Sequence, residues 1–275
     1  MHRMNILVTL NAGYLKPLKV MLKSMFVNNP GEHFDVYLMH SSIGSEELEA
    51  TRRFVEQEGH RLLIITVQDE LFDKAPVVKH YSKEMYYRIL AFKFLPQEIH
   101  TILDLDPDLI IINKLRGLYD LDLTGYMLAA ASHERISLKE INRIRLLPYD
   151  ITDYYNTGVL LMNLESMRRN VSEAALFTFV EEYKARLILP DQDIINALYS
   201  TSILKIDEVV YNYDPRFYLY YKIVSGGQFD MHYVMYNSSI IHFCGKRKPW
   251  KKNYTGHFHS LYKHYEKMAL TLGQT

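Results

Sequence analysis

The chain has 275 residues, and its 32 Lys plus Arg balance 32 Asp plus Glu to a net charge of zero. A dedicated nucleic-acid binder shows a strong basic excess, so nucleic acid is excluded as the expected partner. The one cysteine, Cys244, excludes a disulfide scaffold and an all-thiolate metal site, and it fits a reducing compartment.

Taken in chain order, Ile6 to Leu10 reads as a buried strand. It is too short for a signal-peptide core, and no segment reaches the roughly 18 apolar residues of a membrane span. The expectation is a cytoplasmic protein, touching the inner face of a membrane at most peripherally. Leu15 to Phe26 reads as a helix with Leu15, Leu18, Leu22 and Met25 on one face, stopped by Asn28-Asn29-Pro30-Gly31. Phe34 to His40 is a second strand. A helix opens at Ser45 and runs to about Glu58. Gly59 closes it before a third strand, Arg61 to Val67. A third helix spans Lys83 to Leu95 and stops at Pro96, and His100 to Asp104 is a fourth strand. This alternation predicts βαβ units on a mainly parallel sheet, whose ligands bind beyond the carboxyl ends of the strands. The second half is less regular. Val159 to Met162 and Ile240 to Phe243 read as strands, and Glu173 to Lys184 as a helix. A closing helix from Phe258 to Leu272 carries Leu261, Tyr265 and Met268 on one side. The composition is also rich in tyrosine, 22 against one Trp.

Chemistry is expected first at Asp104-Leu105-Asp106-Pro107-Asp108. Strand side chains alternate, so Asp104 and Asp106 point to the same side. Their repulsion is relieved by a cation, by protonation or by solvent. A divalent metal, Mg²⁺ or Mn²⁺, is the relief that also makes chemistry, because oxygen ligands suit it and it can hold a diphosphate. A solvated acidic turn is the plain alternative. Asp108 is assigned only to the turn.

Five motifs in order resemble the family 8 glycosyltransferases. They are Tyr86-Tyr87-Arg88-Ile89-Leu90, Leu103-Asp104-Leu105-Asp106, Tyr155 to Asn163 (YNTGVLLMN), Asp191-Gln192-Asp193-Ile194-Ile195-Asn196, and His242 to Trp250 (HFCGKRKPW). The resemblance implies a GT-A fold: one α/β domain over 1–275, with a Rossmann-like, mainly parallel sheet and flanking helices. Residues of about 1–130 would form the nucleotide half and about 131–255 the sugar and acceptor half, closed by a helix over about 256–275. It implies retaining transfer of galactose or glucose from a UDP-hexose to a glycan or glycolipid acceptor, dependent on Mn²⁺ (or Mg²⁺), and a homodimer is compatible with it. The metal would be held by Asp104, Asp106 and His242. Nucleotide contacts would come from Thr9, Asn11, Tyr14, Leu105, Gly245 and Lys248, and the last two address the diphosphate. Arg88, Asp104, Asn156, Asp191 and Gln192 would meet the donor sugar, with Gln192 and Asp191 at the reaction centre. Gln192 favours front-face substitution, since an amide is a poor nucleophile. Asp191 or Asp193 remains open as a nucleophile, and Asp191 also reads as an N-cap.

The chain departs from the family pattern after the first strand. Asn11 stands where an Asp is usual, so a base contact there lacks charge assistance. Gly13 replaces an Asn. A second departure lies at Ser132-His133-Glu134, where His133 or Glu134 could take an acidic role toward the sugar. Two other classes use the same carboxylates: a metal-dependent UDP-sugar hydrolase, and a non-catalytic sugar-nucleotide-binding protein.

Overall fold

The computed structural model of the chain describes residues 3–68, 84–132, 142, 144–149 and 151–271. His133 and Glu134 lie outside the described residues. In chain order the strands are β1 (Met4–Thr9), β2 (Phe34–His40), β3 (Arg61–Thr66), β4 (Thr101–Leu105), β5 (Leu109–Ile111), β6 (Leu128–Ser132), β7 (Tyr155–Asn163), β8 (Ile203–Ile206) and β9 (Ile240–His242). The helices are α1 (Leu15–Asn28), α2 (Ser45–Gln57), α3 (Glu84–Ile89), α4 (Arg116–Tyr119), α5 (Leu164–Asn170), α6 (Glu173–Tyr183), α7 (Pro190–Tyr199), α8 (Glu208–Tyr211), α9 (Tyr218–Val224), α10 (Met231–Asn237) and α11 (His259–Thr271).

Seven strands form one sheet in the order β3-β2-β1-β4-β7-β6-β8, and β5 pairs with β9 in a second, small sheet. The first four run parallel; β7 enters antiparallel to β4 and β6, and β8 lies parallel to β6. Both faces are covered, because alternate strand residues enter two separate cores. Ile6 and Val8 face one core and Leu7 the other; Val36 and Leu38 oppose Tyr37 and Met39; Leu103 and Leu105 oppose Ile102. By the same alternation Asp104 projects to the side of Ile102.

Two sequence expectations change in detail. The helix expected through Leu95 ends at Ile89. Leu90, at φ −101° and ψ 12°, leaves the helical region, and a 3-10 turn over Ala91–Lys93 buries Ala91 and Phe92. In α11 the inward residues are Tyr262, Tyr265 and Ala269 rather than Leu261, Tyr265 and Met268. The Tyr265 hydroxyl accepts a hydrogen bond from Asn28 Nδ2 at 2.8 Å, which fixes α11 to the end of α1.

Candidate active site

The site starts where β4 ends. Asp106 leaves the strand with its backbone N–H still bonded to Gly158 O of β7, at 2.9 Å. Two residues later the chain enters β5, which pairs with β9 in a register that sets Leu109 opposite His242. That pairing brings together Asp108 and His242, 134 positions apart in the chain, with His242 Nε2 3.4 Å from Asp108 Oδ1 and 3.8 Å from Asp106 Oδ2. Asp106, Asp108 and His242 each offer one ligand atom, all within 4.8 Å of one another.

Asp104 is not in that group. Its side chain is fully buried one strand residue deeper and faces Arg88, whose Nε lies 2.5 Å away. Asp108, assigned only to the turn, joins Asp106 and His242 there. The reason is local: the chain continues past Pro107 into a second sheet, so Asp108 turns toward β9 instead of solvent.

The triad fits a divalent cation on three observations. Two carboxylates and an imidazole are a hard-to-borderline donor set. His242 Nδ1 lies 2.8 Å from Asn212 Oδ1, so a proton on Nδ1 leaves Nε2 free to face the carboxylates. Finally, Gly158 makes the room: a Cβ there would run into the His242 ring and lie 2.9 Å from Asp106 Oδ2. Burial would raise the Asp108 carboxyl, but His242 and Lys248 outweigh it and hold the group below the ordinary carboxylate range.

Arg88 joins the triad to the sugar-side residues. It is buried on α3 and meets Asp104 through Nε, Asp106 through Nη2 and Asp191 through Nη1, the last at 2.9 Å. The shared-side expectation for Asp104 and Asp106 is therefore met, and a guanidinium relieves their repulsion. Burial, only partly opposed by Arg88, pushes the Asp104 carboxyl up to about 7. Among the described residues, neither Asp104 oxygen has a hydrogen-bond partner beyond its ion pair with Arg88.

Asp191 and Gln192 lie in the first turn of α7. Pro190 is at its start and Leu189 is the N-cap, so Asp191 does not cap the helix. Asp191 Oδ2 also accepts from Thr157 Oγ1 at 3.1 Å. Gln192 Oε1 accepts from Asn156 Nδ2 at 3.3 Å, and Asn156 Oδ1 accepts from Gly158 N and Asn212 Nδ2, both at 2.9 Å. A chain of amides thus runs from Gln192 through Asn156 and Asn212 to His242. Thr157 lies within the Tyr155–Asn163 motif without an assigned role, and Asn212 sits in no recognisable spacing with its partners.

The Asp193 carboxylate is fully engaged within the protein. It is fully buried and accepts from Ile188 N, Leu189 N, the Tyr154 hydroxyl and both terminal nitrogens of Arg145, at 2.5–3.1 Å. All its lone pairs point into the protein, so it anchors the turn that presents Asp191 and Gln192.

The other expected nucleotide residues are less tightly gathered. Lys248 Nζ turns inward onto Asp108 and donates to Phe243 O at 3.0 Å. Gly245, at φ +81°, makes the turn that allows this. Tyr14 packs edge-on against Trp250 with ring centres 6.0 Å apart, which brings the end of β1 to the same loop. Thr9 Oγ1 is buried there without a hydrogen-bond partner among the described residues. Asn11 is exposed, and its side chain accepts from Gly13 N at 3.0 Å. Leu105 is fully buried in the core, which leaves only its backbone for a ligand.

A family model, Glycosyl transferase family 8, matches residues 5–254. The chain belongs to glycosyl transferase family 8. General stress protein A of Bacillus subtilis is 26% identical over 278 residues, covering 95% of this chain and 92% of the relative. A lipopolysaccharide 1,2-glucosyltransferase of Escherichia coli is 25% identical over 260 residues, covering 90% and 73%. The crystal structure of the galactosyltransferase LgtC with donor and acceptor sugar analogs superposes with a TM-score of 0.81 at 24% identity, covering 96% of each chain. This family 8 chain therefore has the GT-A fold, as its motifs implied. Among its described residues no helix is long and apolar enough to cross a membrane.

Proposed function

We propose that the chain is a retaining hexosyltransferase that moves galactose or glucose from a UDP-sugar to a hydroxyl of a glycan or glycolipid acceptor. The observation that carries this is the convergence of Asp106, Asp108 and His242 beside the Arg88, Asp191, Asn156 and Gln192 network. The three ligands would hold a divalent cation, and the imidazole nitrogen favours Mn²⁺ over Mg²⁺. Such an ion supplies Lewis-acid stabilisation of charge on the departing diphosphate.

The protein's own groups have distinct tasks. Arg88 holds Asp106 and Asp191 in fixed positions, so the metal side and the sugar side share one rigid cation. Asp191 and Asn156 are placed to accept from and donate to hexose hydroxyls. Gln192 faces the same space with an amide that can stabilise positive charge at the anomeric carbon. Front-face substitution is favoured over a covalent intermediate. Asp193 is saturated, and Asp191 is already occupied by Arg88 and Thr157, which lowers its nucleophilicity. The acceptor hydroxyl then loses its proton to the leaving phosphate oxygen on the same face. We also read the chain as one unit in the two halves and closing helix given above, which the unbroken seven-stranded sheet supports.

The test is transfer from UDP-galactose and UDP-glucose to a panel of glycans, with the product linkage read by proton NMR. An α-linked product that disappears with chelator supports the proposal. A β-linked product, or equal turnover with no acceptor present, contradicts it.

A further inference from the structure

Charge is divided very unevenly along this neutral chain. From residue 216 to 275 there are nine Lys plus Arg and two Asp plus Glu, a net +7, so residues 1–215 carry −7. Both acids in the basic part are committed. Asp230 caps α10 by accepting from Tyr233 N, and Glu266 pairs with Lys16 and Lys263. Lys246, Arg247, Lys251 and Lys252 are exposed and make no ion pair among the described residues. This basic segment contains the Gly245–Lys248 loop of the site.

The loop has one cation turned in and another turned out. Lys248, the inner one, is spent on Asp108 and Phe243 O. The outer one is Arg216, which lies against Gly245: a Cβ on that glycine would come within 2.5 Å of Arg216 Nη1. Arg216 is held rigidly. Its Nε and Nη2 donate to Asp214, a fully buried carboxylate, and its guanidinium lies 5.3 Å over the Phe217 ring. Its side chain is still 47% exposed, and Nη1 has no hydrogen-bond partner among the described residues. A guanidinium clamped on one edge, with the other edge open beside a side-chain-free backbone, is a preorganised anion contact.

We infer that the acceptor is an anionic glycan, carrying phosphate close to the reacting hydroxyl, and that Arg216 is its specificity-determining contact, with Lys246 and Arg247 as a secondary field. This rests on the transferase proposal and names the acceptor class for the same site. Lys248 is turned inward onto Asp108, which leaves Arg216 Nη1 as the open cation beside Gly245.

The test uses the chain loaded with UDP and Mn²⁺, titrated calorimetrically with galactose and with galactose 6-phosphate. The phosphorylated sugar should bind at least about tenfold more tightly, as expected for a charge-assisted contact. The preference should shrink when salt rises from 20 to about 200 mM. Arg216→Gln should abolish it. Lys246→Gln with Arg247→Gln, which leaves the Asp214 pair intact, should reduce it about threefold. Equal or undetectable binding of the two sugars would overturn the inference, as would a preference that survives Arg216→Gln. A fall in UDP affinity itself in Arg216→Gln would also overturn it, by assigning the residue to the donor diphosphate. Failure of the underlying proposal is distinguishable, because wild-type protein would then bind UDP without regard to Mn²⁺ before any sugar was added.

Discussion

Asp104 and Asp108 are two residues either side of Asp106, and burial gives them opposite tasks. Asp104 is shut inside the sheet with Arg88, while Asp108 opens onto His242. Asp104→Asn should therefore leave Mn²⁺ affinity within about threefold, yet slow transfer about tenfold by loosening the guanidinium that orients Asp106 and Asp191. Comparing Mn²⁺ titrations with steady-state kcat checks this. Gly158→Ala tests the room the metal site needs. Its new methyl would displace His242, so Mn²⁺ affinity should fall about 10- to 100-fold, and the overpacked site should also lower the melting temperature. The sequence placed carboxylates at the end of β4, and the family resemblance implied a distant histidine beside them. It could not show which pair of aspartates faces that histidine. That choice depends on β5 pairing with β9, a contact between segments 130 positions apart, and no local spacing records it.

At the scale of elements, the turn before α7 is the critical piece. Its backbone N–H groups at Ile188 and Leu189 are bonded to Asp193, and Asp193 is neutralised by Arg145. Arg145→Met strands a buried carboxylate and should cost about 3–5 kcal/mol of stability, measured by urea unfolding. The same variant should lose transfer activity by releasing Asp191 and Gln192. A second element carries a pH signal. His60, at the start of β3, stacks on Phe26 with ring centres 3.9 Å apart, and burial first, then His33 and Arg3, push its imidazole down to about 4. The unfolded chain takes up that proton near pH 6.5 and the folded chain only near pH 4. Stability should thus fall as pH drops from about 6.5 to 4 and flatten below. Urea midpoints at pH 7 and pH 5 should differ less in His60→Gln than in wild type. The parallel strands and their helices were legible because apolar runs and Gly or Pro stops recur in order. The helix through Leu95 was drawn too long, because a 3-10 turn keeps the same apolar spacing over so few residues.

Over the whole molecule, the neutral total hides a division. An acidic part of 215 residues supplies Asp104, Asp106, Asp108 and Asp191, and a basic part of 60 residues supplies His242, Lys248 and Arg216. The two meet along the β5–β9 pairing, and the site lies on that seam. Tyrosine suits either a sugar-binding surface or a packed core, and several of the 22 serve the core. Tyr213, Tyr221, Tyr254 and Tyr262 pack with Phe243 and Phe258 into an aromatic core under the basic loop. Composition alone could not separate these uses, since a tyrosine is amphipathic in either place. Binding of UDP measured calorimetrically with and without Mn²⁺, in wild type, Asp108→Asn and Asp104→Asn, tests the central claim most directly. The account predicts metal-dependent binding that Asp108→Asn weakens by at least about 100-fold and Asp104→Asn largely preserves. Metal-independent binding, or loss with Asp104→Asn and not with Asp108→Asn, would contradict it.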